Sequence, residues 1–107
     1  FAAGKATQPA AKGYVIAEIA VTDPATYEIY KPKAAALIAK FGGRYLVRGG
    51  SAQSLEGDAP PGRIVVLEFA SVAAAMAFEK SPEYEEVAKI RQRSARSRVF
   101  VVEGTAR

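Results

Sequence analysis

The chain has 107 residues, of which 50% are apolar and 24% charged, and its 15 basic and 11 acidic residues leave a net charge of +4. That length supports one domain burying roughly two-thirds of the surface its unfolded chain exposes, and the mild basic bias is compatible with anionic small molecules without being diagnostic of nucleic acid. The absence of Cys and His excludes disulfides, thiolate metal sites, a cysteine nucleophile and a histidine base, zinc ligand or haem ligand. Trp and Asn are absent as well. Any metal would need an oxygen-only site, and the acidic residues show no calcium-loop spacing. No run approaches the roughly 18–20 apolar residues of a membrane span.

In chain order, Phe1–Lys12 is Ala-rich without periodicity and reads as a flexible arm ahead of a single domain over 13–104 and a short tail over 105–107. As the remnant of a processed precursor the arm would imply a periplasmic or secreted protein; otherwise a cytoplasmic one is equally compatible. Tyr14–Val21 is an apolar run that predicts a central strand buried on both faces. Thr22-Asp23-Pro24 predicts a helix start, and Tyr27, Tyr30, Ala34, Leu37, Ile38 and Phe41 form its apolar stripe. Pro32 falls inside that stripe and predicts a kink or break, while Gly42-Gly43 predicts the end.

The second strand is expected over Arg44–Arg48, resuming at Ala52–Glu56 after a bulge at Gly49-Gly50. Gly57–Gly62 is a loop by composition, and Arg63–Phe69 is the third strand. Ser71 and Ser81-Pro82 predict caps of two further helices, with Glu83 in the first turn of the second. Val99–Glu103 is the last strand. The order predicts an α+β domain of ferredoxin-like βαββαβ form, an antiparallel sheet with helices on one face.

The runs KGYVIAEIAVTDPATYEIY, GGRYLVRGG, RIVVLEF and SPEY, in that order over roughly 12–104, resemble the domain-of-unknown-function family 1330. That family is similar to the dimeric α+β barrel group, in which ferredoxin-like subunits pair through their open sheet faces. The resemblance implies a homodimer and a cavity lined by sheet residues, and no particular reaction. Relatives in the wider group include cofactor-free monooxygenases, small isomerases and haem enzymes. A His-held haem is impossible in this chain, and no cofactor is expected.

Charge within apolar strands is the remaining clue. Alternation puts Tyr14, Ile16, Glu18 and Ala20 on one face, Ile64, Val66 and Glu68 on one face, and Arg44, Leu46 and Arg48 on one face. If the three sets point the same way, Glu18, Glu68 and Arg48 form a row across the sheet. Two close carboxylates in a cavity would drive one pKa toward neutrality. Arg48 would hold the other ionised or grip an anionic group. Glu68 or Glu18 would then be a candidate proton carrier, with Tyr14, Tyr27 or Tyr45 donating to an enolate oxygen. The competing structural reading makes Arg48 and Glu68 a cross-strand ion pair and leaves Glu18 solvated at a strand end or bonded across a dimer.

Arg91, Arg93, Arg96 and Arg98 form a basic run read as a solvated helix end rather than a polyanion site. Three functions follow as expectations: a homodimer binding a small, anionic organic molecule in a cleft on the sheet face; a cofactor-free isomerase or related enzyme; or an interaction protein with no ligand.

Overall fold

The computed structural model describes residues 11–106. The expected arm therefore lies almost wholly outside the described residues. Seven elements follow in the order β1 (Gly13–Val21), α1 (Pro24–Lys40), β2 (Arg44–Arg48), β3 (Arg63–Phe69), α2 (Val72–Glu79), α3 (Pro82–Ser94) and β4 (Ala95–Glu103). The strands form one antiparallel sheet in the order β2-β3-β1-β4. This is the ferredoxin-like α+β fold, with the helices on one face. Among the described residues no helix is long and apolar enough to cross a membrane.

Local chemistry sets the helix boundaries. The Asp23 carboxylate accepts from the Thr26 amide at 3.3 Å and from the Thr26 hydroxyl at 2.6 Å, and Pro24 follows at the first helical turn. Ser71 and Ser81 cap α2 and α3 in the same way, accepting from the Ala74 and Tyr84 amides. These oxygens satisfy amides that have no partner within their own helix. Gly42, at φ +83°, carries the chain out of α1 in a conformation that favours glycine.

The core lies between the sheet and the helices. Val15, Ala17 and Ile19 of β1 and Val65, Leu67 and Phe69 of β3 point into it, meeting Tyr27, Tyr30, Ala34 and Ile38 of α1 and Phe78 and Tyr84 from the other helices. Phe78 is fully buried, its ring centroid 5.4 Å from that of Phe69 and 4.4 Å from that of Tyr84.

Several sequence expectations are corrected. Helix α1 runs unbroken through Pro32. The carbonyl that loses its amide partner belongs to Glu28, and both residues are exposed, so water can satisfy it. Residues 52–56 form no strand, and β2 ends at Arg48. The β2 irregularity falls between Tyr45 and Val47, not at the glycine pair. Strand β4 begins at Ala95, so Arg96 and Arg98 are strand residues rather than a helix end. β1 is central, yet only alternate residues are fully buried, because its second face lies on the uncovered side of the sheet.

Candidate functional site

The charged row expected across the sheet does not form. On the open face Tyr14 sits opposite Glu68, and Glu18 opposite Ile64, so the two glutamates lie four positions apart, about 13 Å along the strand. Each has its own arginine. Arg44 Nε donates to Glu68 Oε1 at 2.8 Å, and Tyr14 Oη donates to Glu68 Oε2 at 3.3 Å. Arg98 grips Glu18 with Nε and Nη2, at 3.1 and 2.9 Å. The mutual repulsion that would push one carboxyl toward neutrality is absent. Arg44 instead holds the Glu68 carboxyl below the usual range.

Arg48 points the other way, and the β2 bulge is the reason. Tyr45 pairs with Leu67, but Val47 pairs with Val66 and Arg48 with Val65. The extra residue shifts the alternation by one, so Arg48 joins Tyr45 on the helix-covered face instead of following Arg44. The Arg48 guanidinium then lies 4.1 Å from the Tyr45 ring centroid, a cation–π contact.

That face carries a partly open cavity between the sheet and the helices. Its volume is about 40 Å³, room for about three waters. Its walls are Val15, Ala17, Ile19, Val65, Leu67 and Val99 from the sheet and Ile38 from α1. Its polar lining comprises Tyr27, Tyr30, Tyr45 and Tyr84, the cations Lys31, Arg48, Arg63 and Arg91, and one carboxylate, Glu79. Of the sequence candidates, Tyr27, Tyr45 and Arg48 line this cavity, whereas Tyr14, Glu18 and Glu68 lie on the opposite face.

Three arginines repeat one arrangement around it. Arg48 sits over Tyr45, Arg63 lies 5.6 Å from the Tyr27 ring and Arg91 5.9 Å from the Tyr30 ring. The series runs from exposed Arg48 through half-buried Arg63 to Arg91, only 7% exposed. Gly49, at φ +75°, makes room for the middle member: a Cβ there would stand 2.8 Å from the Arg63 guanidinium.

Arg91 donates through Nη1 to Ser97 Oγ. The Nε atoms of both Arg63 and Arg91 are buried without a hydrogen-bond partner among the described residues. An unpartnered buried donor on a charged group is costly, and a ligand is one way to satisfy it.

Behind Arg91 the hydroxyls of Tyr30 and Tyr84 share a 2.5 Å hydrogen bond. Burial raises both phenols, most strongly Tyr30, so both stay protonated near neutral pH. Burial also pushes the Glu79 carboxyl up, while Arg91 opposes the rise. Glu79 ends α2, and together with Tyr84 and Arg91 it also borders a shallow exterior groove along α3.

Sequence reasoning missed Arg63, Glu79 and Arg91 as site residues. Arg63 had a usable signal, since it alternates with Val65 and Leu67 and must share their face. Arg91 lies at helical spacing from the buried Tyr84 and Ala88, yet its place in an arginine run favoured a solvated reading. Glu79 had no comparable signal.

The profile of a domain-of-unknown-function family, DUF1330, matches residues 12–105. The chain belongs to this family. Among solved structures, a protein of unknown function from Rhodopseudomonas palustris superposes with a TM-score of 0.69 at 19% identity, over 98% of this chain and 91% of that one. SnoaB, a cofactor-independent oxygenase from Streptomyces nogalater, superposes with a TM-score of 0.64 at 20% identity, over 92% of this chain and 95% of that one. At such identities the likeness is one of fold. Among curated proteins, none matches the chain.

Proposed function

We propose that this protein binds a small organic anion in the cavity between the sheet and its helices. The observation that carries the reading is the pair of buried arginine Nε donors, on Arg63 and Arg91, left without partners in a cavity holding four cations and one carboxylate. A carboxylate approaching a guanidinium side-on uses Nε together with one Nη, so these are the donors such a ligand needs. The apolar walls and tyrosine rings suit a carbon skeleton. The site therefore lies on the helix-covered face, where β2's bulge brings Arg48, and not on the open face.

The open face supports self-association. Val47, Phe100 and Val102 are exposed there at 39%, 38% and 41%, flanked by the Arg44–Glu68 and Arg98–Glu18 pairs. A second copy placed on this face would cover that apolar strip and surround the ion pairs.

The test of the ligand reading is isothermal calorimetry with small carboxylates, phenols and enolisable ketones. Carboxylates are expected to bind, Arg63→Met to weaken them by about 1.5–3 kcal/mol, the range of a charge-assisted hydrogen bond, and Arg44→Met to leave them unchanged. Equal loss in both variants would point to bulk charge. No binding by any class would mean that Arg63 and Arg91 serve structure alone.

A further inference from the structure

We infer that Glu79 is a proton carrier, and that the cavity abstracts a proton from the carbon next to the carbonyl of a small oxo acid. This rests on the anion-site reading above and adds a reaction to it. Among the described residues Glu79 is the only carboxylate on the lining. Among the described residues it enters none of the ion pairs, unlike Glu18 and Glu68, which their arginines hold on the far side of the sheet. A carboxylate that is neither paired nor fully solvated can both take and return a proton.

The neighbouring groups supply the rest of the chemistry. One of the two hydroxyl protons of Tyr30 and Tyr84 occupies the bond between them. The other is left to donate to an oxygen inside the cavity. With the acid's carboxylate on Arg63, its carbonyl oxygen would meet that hydroxyl and the free Nε of Arg91. Glu79 takes the proton from the adjacent carbon, and the C–H electron pair becomes the enolate C=C bond. The negative charge moves onto the oxygen facing the tyrosine and Arg91. Returning the proton to the same carbon regenerates the carbonyl, so the step balances without oxidant, reductant or co-reactant. Burial favours the protonated form of Glu79, and its position beside the exterior groove gives the proton a route to solvent.

The experiment is deuterium wash-in from D2O into pyruvate, 2-oxobutyrate and acetoacetate, followed by proton NMR, with binding of each acid measured in parallel by calorimetry. The wild-type chain is expected to accelerate exchange into at least one acid it binds by about a hundredfold or more over buffer. Glu79→Gln should return the rate to that of buffer with Kd changed by less than about threefold, and Glu68→Gln should behave as wild type. Binding with exchange at the buffer rate overturns the proton-carrier role and leaves the anion site standing. Exchange that survives in Glu79→Gln overturns the assignment to Glu79. If none of the three acids binds, this inference falls together with the reading beneath it.

Discussion

The two faces of the sheet use the same residue types for opposite ends. On the open face both described strand carboxylates meet a guanidinium: Glu68 with Arg44, and Glu18 with Arg98. On the covered face four cations share one carboxylate, and two of the arginines keep a buried donor unpartnered. Matched charge at the edge of an apolar strip orients a partner surface without demanding a ligand. Unmatched charge in a partly open cavity is retained at a cost in stability, which points to a ligand that completes it. The contrast supports the proposal of a partner on one face and a ligand behind the other.

Substitutions at four positions would break or sharpen that contrast. The largest expected effect is on the covered face, where Phe78→Ala removes a ring stacked on Phe69 and packed against Tyr84. It should cost about 3–5 kcal/mol in urea unfolding. Gly49→Ala forces a side chain into a positive-φ position against the Arg63 guanidinium. A loss of about 1–2 kcal/mol is expected, together with weaker anion binding, because Arg63 must move.

On the open face Phe100→Ser should change the unfolding free energy of a single subunit by about 0.5 kcal/mol or less. Analytical ultracentrifugation should nevertheless show it shifted from dimer toward monomer. A wild-type monomer at micromolar concentration would remove the open face's assigned role.

The smallest effect is on pH dependence. The Glu79 carboxyl, faced by Arg91 and Tyr84, titrates higher in the folded chain than in the unfolded one. Stability therefore falls as pH rises through the folded value, because the folded state must then hold a buried carboxylate. Glu79→Gln should melt above wild type at pH 8, and the difference should vanish below about pH 4, where the carboxyl is protonated in both states. A variant less stable than wild type at pH 8 would mean that Glu79 has an unrecognised stabilising partner.

Much of the fold was legible because its signals are local. Serine and aspartate caps, proline at the first helical turn, and alternation in VIAEIAV and RIVVLEF each specify structure within a few residues. The candidate site was legible only in fragments. Tyr27 and Tyr45 are readable from the sequence, but RYLVR alone puts Arg48 on the face of Arg44, because a bulge depends on how β2 meets β3. Arg91 was hidden by composition: beside Arg93 and Arg96 it resembles a solvated charge, and only the packing of α3 shows that it points inward. Glu79 becomes chemically interesting only through groups brought to it from α1, tens of residues back in the chain, and from the inward face of α3.

The β2 bulge has a consequence for how this chain can be compared and redesigned. RYLVR behaves like a short reading frame whose phase decides which side of the sheet each later residue addresses. Flattening the bulge so that Leu46 takes its place opposite Val66 would restore strict alternation and carry Arg48 from the cavity to the open face, whereas deleting Leu46 would leave Arg48 opposite Val65. An alignment that slides one gap through this strand would therefore equate a cavity-facing arginine with one on the open face. Grafting the cavity onto another sheet would have to transfer the irregularity along with the residues.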